Sequence, residues 1–187
     1  MAVAWSNAAV AVPSHNDARH LKRVARDPKL MPVDKNFRIG GIMDKINPLF
    51  TATATATGGR NGHTESSDHI VAADLSVPKA MGGPGKPNTA TPEHLFAAGY
   101  AACFGGALDF IGKQHKKDAS KAAVTAAVSI GPREGGGFGI AVKMRVEDKS
   151  LPQGDLAALV KEAHEKICPY SHATRNNVDV QFEVMGG

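Results

Sequence analysis

Cysteine is nearly missing from this chain: 187 residues contain two, Cys103 and Cys168. Two thiols cannot make the multi-bridge framework of a small secreted scaffold. Aromatic residues are scarce, with a single Trp, so a core must be built mainly from aliphatic and small side chains. Long apolar runs are lacking as well. The longest, Leu95 to Leu108, is shorter than the ~20 residues that span a bilayer and is followed by Asp109. The first dozen residues have no basic stretch ahead of an apolar one, which argues against a secretory signal. G-x-S-x-G is absent, so serine hydrolase chemistry has no support. GGGFG after Glu134 lacks the Lys-Ser/Thr of a phosphate loop and reads as a hairpin turn.

Net charge is missing from most of the chain. Residues 1–43 carry seven Lys/Arg and three Asp/Glu, whereas residues 44–187 carry 15 of each. The formal excess of +4 therefore sits in the N-terminal segment. This gives no basic nucleic-acid-binding face to the folded part. We divide the chain into an extension, residues 1–43, and a domain, residues 44–187. The extension reads as flexible. LKRVAR is basic and weakly amphipathic, the pattern of a mitochondrial presequence, but Asp17, Asp27 and Asp34 weaken it. The expected location is cytoplasmic, or mitochondrial if the extension is a presequence.

What is present is regular patterning after Met43. FTATATAT, Phe50 to Thr57, alternates as a strand does, GGRNGH reads as a turn, and HIVAADLSV as a second strand. Thr91-Pro92-Glu93 is a helix start: a capping hydroxyl, a proline suited to the first position, and an acid at the positive end of the dipole. That helix is predicted to run to about Gly112. It is apolar on every side and rich in Ala and Gly, which asks for burial all round. Residues 123–131 alternate again. FGIAVKMRVE puts Phe138, Ile140, Val142, Met144 and Val146 on one face. Leu156, Leu159, Val160, Ala163 and Ile167 recur at helical spacing, with Pro169 as the stop. NVDVQFEV is a last strand. The predicted fold class is α+β, with antiparallel sheets around a long buried helix. A sheet can cover one face of that helix. The other face asks for the same helix of a second chain, so a homodimer is expected.

Taken singly, the two cysteines read as a small buried hydrophobe and a helix-end residue. His164, Cys168 and His172 stand four apart, as a zinc half-site would, but a closed site needs four ligands and Pro169 breaks the helix. No metal is expected, and the histidines read as solvated surface.

Context changes the reading of the cysteines. TATATATGGRNGH, PEHLFAAGYAACFGGAL and CPYSHATRNNVDV occur in this order over about residues 46 to 185. Together they resemble the organic hydroperoxide resistance proteins, the Ohr branch of the Ohr/OsmC family. AGYAACF and CPYS look more like Ohr than like its OsmC relatives. The resemblance implies an intertwined α+β homodimer and a thiol peroxidase without a bound cofactor. It implies Cys103 as peroxidatic and Cys168 as resolving cysteine, joined as a disulfide in the cycle. It implies Arg60 as the cation at the thiolate and Glu93 as the partner of Arg60. It further implies organic hydroperoxides as substrates and a dihydrolipoyl group on a lipoylated protein as reductant. The chain departs from the family pattern at His94, Gly105, His172 and Asn176. Gly105, where a larger apolar residue is common, leaves substrate size open. Alternatives are an OsmC-type peroxidase of broader specificity, or a thiol sensor or small-molecule-binding protein on the same fold.

Charge logic fits these roles. A free thiol is mostly protonated at pH 7, and burial protonates it further. Cys103 lies well inside its helix, away from that helix's N-terminus, so it needs a cation. Arg stays charged, and its fork can serve both a thiolate and a carboxylate. Glu93 and Cys103 are about 15 Å apart along one helix axis. They cannot share a site within one chain unless the helix breaks. Sites shared across the dimer are therefore expected, with Arg60 and Glu93 from one subunit and both cysteines from the other. Cys168 is expected at a helix C-terminus.

Overall fold

The computed structural model describes residues 45–187. The extension, and any presequence in it, lies outside these residues. Among the described residues six strands form two three-stranded sheets. In the first, β1 (Ala54–Thr57), β2 (His63–Ser66) and β3 (Ala72–Asp74) pair antiparallel in chain order. The expected strand over Phe50–Thr57 is thus half as long, and GGRNGH is not all turn. A 3₁₀ turn at Gly59–Asn61 bends the chain, and His63 already pairs with Asp74. The predicted strand at HIVAADLSV shrinks to Ala72–Asp74, because residues 67–71 are used in the reversal from β2.

Helix α1 (Pro92–Gln114) follows, and it starts as predicted. Thr91 caps it through its side chain, and His94 Nδ1 accepts the Thr91 N–H in return. This is a capping box with His in the place of the usual acid or amide. Among the described residues α1 is long and apolar enough to cross a membrane. It is instead a core helix. Tyr100, Phe104, Leu108 and Ile111 are buried on its inner side, against β4 and the C-terminal helices.

Strands β4 (Ala123–Pro132) and β5 (Phe138–Asp148) form the antiparallel hairpin expected from their alternation. Its turn needs Gly136 and Gly137, which sit at φ of 85° and 71°. Val142, Met144 and Val146 point inward from β5. Helix α2 (Gln153–Glu162) buries Leu156, Leu159 and Val160, as its spacing requires.

Two further features depart from expectation. Strand β6 (Asp179–Gly186) pairs with β5 in parallel, Ala141 opposite Asp179. The link between β5 and β6 carries the C-terminal helices and is long enough to be a crossover, which is what a parallel pair requires. Proline 169 does not end the helical region. It starts a short new helix, α3 (Pro169–Thr174). Between α2 and α3 the chain widens into a π-helical turn, Ala163–Ile167, closed by Cys168 N–H donating to the Ala163 carbonyl. Pro169 pushes Cys168 out of helical geometry, to φ −69° and ψ 117°.

Candidate functional site

The cysteines are brought together. Cys103 Sγ on α1 lies 3.6 Å from Cys168 Sγ, both as free thiols, although 65 residues separate them in the chain. Cys168 is 1% exposed, and Cys103 is partly exposed. Cys168 does not simply terminate a helix. It also occupies the N-cap of α3, where its sulfur accepts the Ser171 N–H at 3.4 Å. The amide of Tyr170, in the same turn, favours the ionised form of the Cys103 thiol. Pro169 lacks an N–H, so residues 170 and 171 supply the first free donors of α3. Cys103 is thus far from the N-terminus of its own helix but beside that of another, which inspection of α1 alone could not reveal.

Burial nevertheless dominates at Cys103. It pushes the thiol up to about 11; the Tyr170 amide opposes it, and Cys168 adds to it. Among the described residues no cation counters this. The expected cation is elsewhere. Arg60, on the 3₁₀ turn after β1, donates Nη1 to Glu93 Oε2 at 2.9 Å and Nη2 to Glu93 Oε1 at 2.6 Å. The Arg60 hydrogen bonds hold the Glu93 carboxyl down to about 2, against the opposing effect of burial. Gly58 and Gly59 allow the turn at φ of 76° and 57°. A Cβ at Gly62 would lie 1.7 Å from the Thr57 carbonyl oxygen, so the turn closes only over glycine. The Arg60–Glu93 pairing matches the sequence reading.

The two pairs are separate within one chain. Helix α1 is unbroken from Pro92 to Gln114, so Glu93 and Cys103 stand about 15 Å apart along its axis. A groove of about 370 Å³ opens at the Glu93 end, walled by Met81, Ala97, Ala126, Val128 and Ile130. At the thiol end, Phe96, Tyr100 and Tyr170 pack ring against ring at 5.8 to 6.1 Å. Behind them Tyr100 Oη meets Ser171 Oγ at 3.0 Å and Thr174 Oγ1 at 3.2 Å. Sequence reasoning passed over Tyr100, Tyr170 and Ser171. The available signal was their placement: Tyr100 three residues before one cysteine, Ser171 three after the other.

The supposed zinc half-site has a different environment. The His164 ring packs edge-on against Phe182 at 4.9 Å, and burial lowers its affinity for a proton. It is a partly buried ring and not the solvated one expected.

The matched family model is that of the OsmC-like proteins, over residues 83–183. The organic hydroperoxide resistance protein of Xanthomonas axonopodis pv. citri is 48% identical over 133 residues, covering 71% of this chain and 92% of the relative. OhrB of Bacillus subtilis, an organic hydroperoxide resistance protein, is 46% identical over 137 residues, covering 73% and 98%. Its crystal structure matches with a TM-score of 0.66 over 73% of this chain and 99% of that one. An organic hydroperoxide resistance protein from Elizabethkingia anophelis, 41% identical, matches with a TM-score of 0.70 over 76% and 100%. With this identity, coverage and fold, the chain belongs to the OsmC family, and the relatives named here are its organic hydroperoxide resistance members.

Proposed function

We propose that this protein is a thiol-dependent peroxidase that reduces organic hydroperoxides to alcohols. The observation that carries the reading is the pair of free thiols 3.6 Å apart, with the Ser171 amide of α3 donating to the Cys168 sulfur. The Cys103 thiolate attacks the distal peroxide oxygen, the O–O bond breaks, and the alkoxide leaves as alcohol after taking a proton. Cys103 becomes a sulfenic acid. Cys168 attacks that sulfur, an S–S bond forms and water leaves. An external dithiol, a dihydrolipoyl group in this reading, then reduces the disulfide by exchange.

The active unit is a homodimer. A buried thiol held at about 11 is a poor nucleophile, and its missing cation is Arg60 of a second copy. Two antiparallel α1 helices crossing on their exposed small residues would bring each Arg60–Glu93 pair to the other chain's thiols. His94, Ala98, Ala102, Gly106 and Phe110 form such an exposed row, one helical turn apart. Every residue of β1 is also exposed, and so small a sheet without cover is marginal by itself. Arg60 would then hold the thiolate and donate to the peroxide oxygens as their bond breaks. The apolar groove beside Glu93 would receive the alkyl chain, which favours organic peroxides over hydrogen peroxide. A cytoplasmic location, where thiols stay reduced, suits the two free cysteines.

The first test is steady-state turnover of cumene hydroperoxide and of hydrogen peroxide, with dihydrolipoamide as reductant. Turnover should favour the organic peroxide and vanish in Cys103→Ser. Cys168→Ser should perform one reduction and then stall or over-oxidise. Equal multi-turnover rates in both variants and the wild type would defeat the assignment. Absence of turnover in fully reduced wild-type protein would favour a sensing or binding role.

A further inference from the structure

A disulfide bond needs its sulfurs ~2.05 Å apart, and the two thiols rest at 3.6 Å. Near them a chain of buried hydroxyls joins α1 to α3. Its direction is fixed from one end. Thr174 Oγ1 donates to the Tyr170 carbonyl at 2.9 Å, so its oxygen accepts from Tyr100. With its single proton used, Tyr100 Oη accepts from Ser171 Oγ at 3.0 Å. Tyr100 and Ser171 are both fully buried, and Thr174 is 5% exposed.

The placement relates this chain to the thiols. Tyr100 lies one helical turn before Cys103, on the same side of α1. Ser171 lies one turn after Cys168, and its own amide is the donor to the Cys168 sulfur. One hydrogen bond thus ties the turn that carries one thiol to the turn that carries the other. Helix α3 has only six residues, too few to hold its place by helical propensity. Arg175, just beyond it, donates to the His164 carbonyl at 2.7 Å and ties down its far end. Tyr100 ties down the near end.

We propose that Tyr100 is a positioning residue for disulfide closure: through Ser171 and Thr174 its hydroxyl holds the first turn of α3 so that Cys168 can reach the Cys103 sulfur. In the peroxidase cycle, the step it serves joins Cys103 sulfenic acid to the Cys168 thiol. An S–S bond forms, the S–O bond breaks, and the thiol proton leaves with the hydroxyl as water. The role in catalysis rests on the peroxidase reading, but the positioning itself does not require it.

The test separates the two. Full-length wild type and Tyr100→Phe are equilibrated in reduced and oxidised glutathione, and the fraction with the Cys103–Cys168 bond is read by thiol trapping and mass. Each closure consumes one oxidised glutathione and releases two reduced ones, so no peroxide chemistry is involved. Tyr100→Phe should close at least tenfold less favourably at a given glutathione ratio. Ser171→Ala removes the same hydrogen bond from the other side and should do likewise. The double variant should be no worse than the poorer single one, because Tyr100→Phe already removes the bond that Ser171→Ala removes. Ile111→Val, a truncation elsewhere on α1, should lower Tm and leave closure unchanged.

With cumene hydroperoxide, Tyr100→Phe should form sulfenic acid at the wild-type rate, close slowly and accumulate sulfinic acid. Wild-type closure in both Tyr100→Phe and Ser171→Ala overturns the proposal. So does equal slowing of sulfenic acid formation and closure, which would mark a general structural role. Failure of the wild type to react with peroxide would sink the peroxidase reading and leave the glutathione result standing.

Discussion

Replacing Arg60 by Met should return the Cys103 thiol toward the value that burial imposes. In one chain that value is about 11. At pH 7 about one such thiol in 10⁴ is ionised. A guanidinium about 4 Å from the sulfur, at an effective dielectric near 20, is worth about 4 kcal/mol. At about 1.4 kcal/mol per tenfold this raises the thiolate fraction by about 10³. Arg60→Met should therefore slow alkylation of Cys103 by iodoacetamide at pH 7 by about that factor. The pH at which alkylation reaches half its plateau should move up toward 11. The measurement belongs in a Cys168→Ser background, so that one thiol reports. Arg60→Lys keeps a charge but loses the fork that also serves Glu93, and should fall between. Coincident alkylation curves for Arg60→Met and the parent, in dimeric protein, would refute the claim that Arg60 activates this thiol.

Other expectations follow from the same geometry. Gly106→Leu should leave the single chain folded, since nothing lies within 4 Å of an added Cβ. On the exposed row of α1 it should weaken dimerisation by about 10- to 100-fold, the equivalent of ~1–3 kcal/mol of overpacking, as read by sedimentation. Gly105→Ala meets only Val124 Cγ2, at 3.8 Å, and should stabilise α1 by roughly 0.5–1 kcal/mol in urea unfolding. Glu93→Gln should lose about 1 kcal/mol at neutral pH. The Glu93 carboxyl is held at about 2, below its ordinary 4.5. Its stabilising effect is thus complete above 4.5 and disappears as pH falls toward 2. Acid unfolding of the variant should accordingly be flatter than that of the parent over this range.

The sequence made local structure legible where one signal sufficed. Thr91-Pro92 set the start of α1, and the alternation from Phe138 set β5. It misled where two signals met. Pro169 has the marks of a helix stop and also of a helix start, and here it is a start, with Cys168 between two helices. The parallel placement of β6 follows a crossover through the C-terminal helices, which the alternation within the strand does not reveal. At the site, the Arg60–Glu93 pair was legible only through the family resemblance of GGR and PEHLF, with which charge logic agreed, since a buried Arg must be paired. The amides of Tyr170 and Ser171 were not, since backbone donors leave no trace in side-chain identity and α3 was not foreseen.

The division of the site between the two ends of α1 can be tested without a structure of the dimer. Each chain carries a thiol pair and an Arg60–Glu93 pair, about 15 Å apart along an unbroken helix. If one chain's Arg60 serves its own Cys103, mixing Cys103→Ser chains with Arg60→Met chains restores nothing, because every site keeps a lesion. If sites are shared across a twofold axis, a mixed dimer joins Arg60 of the first chain to Cys103 and Cys168 of the second. One of its two sites is then whole. Random exchange at equal amounts makes about half the dimers mixed, so activity should rise from near zero to about a quarter of wild type. No recovery, with mixed dimers demonstrated by mass, would place the whole site in one chain. The cation for the buried thiol would then have to arrive by movement of the Arg60 turn.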